Sequence, residues 1–351
     1  MQAHPDTACA PDSPVLAMVE RARSAQRIAE GYDQQRVDEL VAAAGWAIME
    51  PARNRELAEL AVADTGIGNV DDKIRKNHRK TLGLLRDLRH ARSVGVIRED
   101  HENGIVEIAR PVGVVCAVTP STNPGATPAN KIINALKGRN AVIVAPSPKG
   151  WSTAARLLEF IHAQFDRIGA PRDLVQLLDA PITKRATAEL MQLCDLVVAT
   201  GSQANVRAAY TCGTPAFGVG AGNVASIVDE TADIDDAADK VFRSKTFDNA
   251  TSCSSENSLI VVESIRGRMI AALEQRGAIL LNAGQKAALQ KVMWPDGKLS
   301  AAVTGKSAQV IAELAGFSDI AERKPRMLLV DENGFGADHP FSGEKLSPVL
   351  T

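Results

Sequence analysis

From Val112 onward the chain alternates short apolar runs with helical stretches, and this rhythm restricts the fold more than any other feature. The runs lie at 112–118, 141–145, 174–178, 195–199 and 224–228, and helical segments separate the first four. Runs apolar at every position suit strands covered on both faces, and intervening helices supply the crossovers that parallel pairing requires. The predicted fold class is α/β, with a doubly wound parallel sheet covered by helices and a second α/β domain after it.

Upstream, residues 14–95 read as helices; Val37–Ala44, for instance, carries apolar residues at three- and four-residue spacing. The Asn103-Gly104 pair then marks a hairpin within about 97–111. A polar boundary follows the last run, at Asp229-Glu230-Thr231-Ala232-Asp233, where Asp233 is the expected N-cap of a helix. The chain thus divides into 1–230 and 231–351. The second part is expected to hold a strand at 258–262, a helix at 264–276 and further elements up to Leu328-Leu329-Val330. A length of 351 residues suits two domains, and 45% hydrophobic content is ample for two cores.

A net charge of −2 argues against nucleic acid as the main partner. The one basic stretch, Lys73, Arg75, Lys76, His78, Arg79, Lys80, Arg86, Arg89 and Arg92, lacks aromatic stacking partners and reads as the solvated face of a helix. The five cysteines (Cys9, Cys116, Cys194, Cys212, Cys253) form no CxxC pair, and the six histidines are equally scattered. Neither a disulfide frame nor a metal site is signalled. No apolar run reaches membrane-spanning length, and Met1–Asp6 has no apolar signal core, so a cytoplasmic protein is expected.

In open α/β sheets ligands bind at the carboxyl ends of strands. Two turns there are rich in small and polar residues: Thr119-Pro120-Ser121-Thr122-Asn123-Pro124-Gly125, and Ala199-Thr200-Gly201-Ser202 opening a helix. No GxGxxG fingerprint accompanies them. Cys253 sits in the polar run Phe247–Glu256, just before Ser258-Leu259-Ile260-Val261-Val262. By itself such a thiol reads either as a small core hydrophobe or as a nucleophile. Asn123 likewise reads as an Asn-Pro turn residue or as a donor, and Glu344 as a surface charge.

Taken together and in order, these segments resemble the aldehyde dehydrogenase superfamily, in particular its CoA-acylating branch, from about residue 14 to the end of the chain. Pro111–Val115 leading into Thr119–Pro124 matches the oxyanion-hole segment. Ala135–Ser147 resembles the strand carrying the adenosine ribose, and Gly201-Ser202 the start of the nucleotide helix. Phe247-Asp248-Asn249 with Cys253 matches the nucleophile loop, and Gly343–Val349 the segment bearing the nicotinamide-ribose carboxylate, Glu344. The resemblance implies a dinucleotide-binding first domain, a catalytic second domain, and an oligomerisation arm at the hairpin.

It further implies that Cys253 attacks an aldehyde, with Asn123 and the Cys253 N–H as oxyanion donors. Thr119, Pro120, Ala145, Pro146, Ser147, Lys149, Gly201, Ser202, Gly218, Gly220 and Glu344 would hold the cofactor. One departure is informative. Hydrolytic members have a glutamate where this chain has Gly218, in Pro215–Asn223. Without that base water is a poor attacker of a thioester, and glycines are expected to leave room for the thiol of coenzyme A; a tight turn is equally compatible. Ala145-Pro146-Ser147-Pro148 followed by Lys149 lacks the usual acid and leans toward tolerance of a 2′-phosphate, so NAD or NADP is expected.

Asn123–Lys131 and Ala145–Gly150 most resemble the sulfoacetaldehyde dehydrogenases of this branch, with acetaldehyde and succinic semialdehyde enzymes as alternatives. A small aldehyde and CoA are the expected partners, in a homodimer or higher homo-oligomer. Relatives continue well beyond the Glu344 segment, so the catalytic domain is expected to be shortened at its C-terminus, with low activity and weakened assembly. A catalytically impaired nucleotide-binding or assembly protein and an acyl-phosphate reductase are the other readings.

Overall fold

The computed structural model describes residues 13–351; Cys9 and Met1–Asp6 lie outside the described residues. Contacts divide the chain into two compact units, one comprising the residues up to Thr65 with Ile74–Gly220, the other Gly66–Lys73 with Ala221–Thr351.

The first unit begins with helices α1 (Pro14–Glu30), α2 (Gln34–Met49) and α3 (Pro51–Thr65), and takes in most of α4 (Val70–Leu88). Ser13 and Asp33 cap α1 and α2 by accepting from Val15 N and Arg36 N, as short oxygen-bearing side chains do at N-caps. An antiparallel hairpin follows, β1 (Gly95–Asp100) and β2 (Ile105–Ala109). Its turn is a four-residue loop in which Asp100 Oδ1 accepts from Asn103 N at 3.0 Å. Ile105, Val106 and Ile108 are exposed on it.

Then come β3 (Val114–Thr119), α5 (Ala126–Lys137), β4 (Ala141–Pro146), α6 (Trp151–Ile168), β5 (Val175–Leu177), α7 (Lys184–Leu193), β6 (Leu196–Thr200), α8 (Gln203–Thr211) and β7 (Ala216–Val219). They build one five-stranded parallel sheet in the order β5-β4-β3-β6-β7, which runs outward from β3 in both directions and is doubly wound. Every residue of β3 and β4 is buried, as their unbroken apolar runs require. Each buried Val, Leu, Ile or Phe there contributes about 1.5–3 kcal/mol.

The second unit holds β8 (Val224–Val228), α9 (Ile234–Thr246), β9 (Glu256–Val261), α10 (Glu263–Gln275), β10 (Ala278–Leu280), α11 (Ala283–Met293), α12 (Ala308–Leu314), α13 (Ser318–Glu322), β11 (Met327–Leu329) and β12 (Val349–Leu350). Asp233 caps α9 from Asp236 N at 3.1 Å. β8 pairs with β9, and β10-β11-β12 form a second parallel sheet. Leu259 N donates to Thr351 O at 2.7 Å and Thr351 N to Asn257 O at 3.2 Å, tying β9 to the residue after β12.

One strand changes place. The run 224–228 is β8, paired with β9 in the second unit, and the fifth strand of the large sheet is β7 instead. β7 is an edge strand with Phe217 and Val219 exposed, so it lacks the two-sided apolar run of its neighbours. No helix among the described residues is long and apolar enough to cross a membrane.

Candidate active site

The expected cofactor residues of the first unit gather at the carboxyl edge of the large sheet. The chain leaves β3 toward β4 and β5, then returns on the other side to β6 and β7, so the ends of β3 and β6 flank the switch point where dinucleotides bind in such sheets. Thr119 ends β3; it is buried, its carbonyl accepts from Ser147 N at 2.9 Å, and its Oγ1 has no hydrogen-bond partner. Pro120 follows, half-buried. Ala145 and Pro146 end β4 in register with Val118 and Thr119. Ser147 is half-buried and Lys149 exposed in the short turn Pro148–Gly150. Gly201 N donates to Val219 O at 3.1 Å, and Ser202 caps α8 from Asn205 N. A buried hydroxyl left unpaired at the switch point, beside a capped helix N-terminus, fits a nucleotide that supplies the missing polar partner.

Asn123 lies in the loop between β3 and α5. Its carbonyl accepts from Thr127 N at 3.2 Å, and its side-chain Oδ1 accepts from Lys76 Nζ at 2.9 Å. Here the solvated-face reading of the basic stretch needs correction. Lys73 and Lys76 of α4 are buried, whereas Arg75, His78, Arg79, Lys80, Arg86, Arg89 and Arg92 are exposed. Three-residue spacing turned two of the cations inward, each onto a polar partner.

Gly218 is held by its neighbours on α8. The Tyr210 hydroxyl accepts from Gly218 N at 3.0 Å and donates to Gly218 O at 3.4 Å. A Cβ at 218 would stand 2.6 Å from Val206 Cγ1 and 2.9 Å from the Tyr210 ring. On the side where a Cβ would point, this glycine is packed against α8. Gly220 meets only the flexible Gln203 side chain.

In the second unit, the loop before Cys253 is bent into a conformation that side chains rarely adopt. Asp248, Asn249 and Ala250 have φ of 49°, 51° and 59°. Residues so placed cost about 1–3 kcal/mol each and persist only where their surroundings over-determine them. The surroundings do so here. The buried Asp248 carboxylate accepts from Asn69 N (3.0 Å), Lys73 Nζ (3.2 Å) and Thr251 Oγ1 (2.6 Å), while Asp248 N donates to Asp72 Oδ2 (2.8 Å). Asn249 Nδ2 donates to Gly305 O at 2.9 Å. Burial lowers the pKa of Lys73, and the Asp248 carboxylate opposes that shift. Cys253 follows on this frame with its side chain exposed, alone among the cysteines of the described residues.

Gly222 joins the thiol loop to Glu344. Its N–H donates to Glu344 Oε1 at 3.1 Å, and its carbonyl accepts from Asn257 Nδ2 at 3.3 Å. Asn257 Oδ1 in turn accepts from Lys345 N. A Cβ at 222 would lie 2.8 Å from the Cys253 carbonyl oxygen, a backbone atom that cannot swing aside. Gly222→Ala is therefore expected to shift the Cys253 loop, costing about 1–3 kcal/mol of stability and roughly tenfold in kcat. A melting curve and a steady-state assay check this; unchanged kcat would mean that the loop yields freely.

Burial raises the pKa of Glu344, against the opposing pull of the Gly222 N–H and Lys245. Lys245 is fully buried at the end of α9, its Nζ has no hydrogen-bond partner, and burial lowers its pKa to about 7. Lys345, also fully buried, falls to about 6 through burial and then Lys245; its ammonium donates to the carbonyls of Phe341 and Gly343. Gly222, Asn257, Lys245 and Lys76 were missed as site residues. Lys245 had a signal: it continues the inward stripe Ile234, Ala238, Val241.

Comparison with known proteins gives the family. Residues 6–313 match the aldehyde dehydrogenase family. The chain is 69% identical over 337 residues to a sulfoacetaldehyde dehydrogenase (acylating) of Cupriavidus necator, covering 96% of this chain and 68% of that protein. Among solved structures, an acetylating aldehyde dehydrogenase of Geobacillus thermoglucosidasius is 40% identical with a TM-score of 0.89, covering 96% of this chain and 74% of that one. A Rhodopseudomonas palustris propionaldehyde dehydrogenase, solved with bound CoA and an acylated cysteine, is 27% identical with a TM-score of 0.84, covering 96% and 76%. The chain belongs to the aldehyde dehydrogenase family, in its acylating branch.

Proposed function

We propose that this chain oxidises sulfoacetaldehyde with NAD(P)+ and coenzyme A to the corresponding acyl-CoA, through a thioester on Cys253. The observation that carries the substrate is the 69% identity to the Cupriavidus necator enzyme over 96% of the chain. The Cys253 thiolate attacks the aldehyde carbon, and the oxygen that gains charge takes hydrogen bonds from the Cys253 N–H and the Asn123 side chain. When bound, the nicotinamide cofactor accepts the hydride. Glu344, held by Gly222, would grip its ribose, while Thr119, Pro120, Ala145, Pro146, Ser147, Lys149, Gly201, Ser202, Gly218 and Gly220 would line the nucleotide. The CoA thiol then displaces Cys253 from the acyl carbon and leaves as the thioester.

The absent base at 218 supports transfer over hydrolysis. A glycine held between Val206 and Tyr210 offers no carboxylate to water. Without CoA, NAD(P)H formation is expected to stop after about one equivalent per Cys253, and to continue with acyl-CoA as product once CoA is added. Stopped-flow absorbance and mass spectrometry of the product test this, with acetaldehyde and succinic semialdehyde as competing substrates. Sustained free-acid formation without CoA would refute the acyl-transfer reading, and a higher kcat/KM for either competitor would refute the substrate. The exposed apolar residues of the β1–β2 hairpin support a homodimer or higher homo-oligomer.

A further inference from the structure

We infer that Lys76 is a positioning residue that orients the Asn123 amide, holding its oxygen and thereby presenting its NH2 to the acyl oxygen; this rests on the oxyanion role proposed for Asn123. A carboxamide has two ends of nearly equal size, one that accepts and one that donates, and a half-turn about its last bond exchanges them. Only one end helps a developing oxyanion. A lysine ammonium carries donors alone, so the end that meets Lys76 Nζ at 2.9 Å is the oxygen. Lys76 is 4% exposed, which leaves bulk water little access to replace it.

Both sides of this contact are fixed by other bonds. On α4 the next residue, Asn77, is buried and donates to Asn54 Oδ1 at 3.0 Å, and Asn54 Nδ2 donates to Ile74 O at 3.0 Å. On the other side, the Asn123 carbonyl is held by the first turn of α5. The amide could still make a half-turn; at its other end Nδ2 donates to the neighbouring Thr122 Oγ1 only at a long 3.5 Å, so the ammonium at 2.9 Å is the stronger hold on its orientation. The ammonium also draws electron density toward the amide oxygen, which strengthens the N–H as a donor. A flipped amide would set its oxygen against the oxyanion, which is worse than no side chain at all.

The test combines Lys76→Met and Asn123→Ala singly and together in the full chain, measuring kcat, KM and nucleotide affinity. Removing one oxyanion donor lowers kcat about 10²–10³-fold, and loss of its orientation is expected to lower it about 10–100-fold, with the aldehyde KM and nucleotide affinity held. In the Asn123→Ala background the same Lys76→Met change is expected to alter kcat by less than about twofold, because coupled residues are non-additive. Lys76→Gln, which can still donate to the amide oxygen, is expected to fall between wild type and Lys76→Met, and it serves if the methionine variant misfolds. An equal loss in both backgrounds would make Lys76 merely structural and overturn the inference. So would full activity in Lys76→Met and Lys76→Gln beside an impaired Asn123→Ala. Wild-type activity in Asn123→Ala would instead remove the oxyanion role itself, and Lys76's with it.

Discussion

Cys253→Ala is expected to abolish aldehyde-dependent reduction of NAD(P)+, a loss of more than about 10⁴-fold, while nucleotide binding survives. A thiolate gives covalent catalysis that no neighbour in this loop can replace, since Thr251, Ser252, Ser254 and Ser255 carry hydroxyls of much lower acidity. The substitution removes one exposed sulfur from a loop whose shape is set elsewhere, by Asp248 and Asn249, so folding is expected to be unchanged. Cys116 and Cys194 are buried and Cys212 partly so. A thiol reagent used briefly on the native protein is therefore expected to modify Cys253 before these three, and activity to fall in step. Peptide mapping alongside the assay checks both. Retention of a tenth of the activity in the alanine variant would end the nucleophile assignment.

Asp248→Ala is expected to have the second-largest effect, on stability and rate together. It leaves the Lys73 ammonium buried without its carboxylate, a change that costs about 3–5 kcal/mol, or roughly 10 °C in melting temperature. It also frees Asn69 N and Thr251 Oγ1 from their acceptor. The left-handed turn at 248–250 then loses the carboxylate contacts that hold it and keeps only those of Asn249 and the Asp248 N–H, and displacement of the thiol by about 1 Å costs about 100-fold in kcat. The double variant Lys73→Met with Asp248→Leu separates the two effects. An apolar pair of similar volume is expected to recover most of the stability, because the desolvated charges are gone. The rate is not expected to recover, because the loop's hydrogen bonds are not restored. Thermal unfolding and kcat measured on the same samples decide it; an Asp248→Ala enzyme with wild-type kcat would show that the loop keeps its shape unaided.

Much of the fold was legible because its signals are local. β3 and β4 announce themselves by unbroken apolar runs, and Asp233 by its place before a helical stripe. Sheet membership is not local. β8 reads much like the four strands before it, yet it pairs with β9, more than thirty residues on. β7, split by Gly218 and exposed on one face, gives almost no pattern. At the site, Cys253, Asn123 and Glu344 could be picked out from motif order, and the residues that hold them could not. Lys73 and Lys76 look like solvated charge because burial of a lysine depends on a partner, here 175 and 47 residues away. Gly222 was read with the glycines around it, and only three-dimensional packing shows that a Cβ there would strike the Cys253 carbonyl.

The tether between Lys73 and Asp248 also has a meaning in time. Ribosomes add about 5–20 residues per second, so the 175 positions between these residues represent roughly 10–35 s of synthesis. Throughout that interval Gly66–Lys73 has emerged without the loop it will anchor. Closing so long a span carries an entropic cost that is recovered only when the buried pair forms. The nascent chain therefore has its first helices long before this loop: the Cys253 segment can take its anchored shape only once the 175 positions after Lys73 have been made.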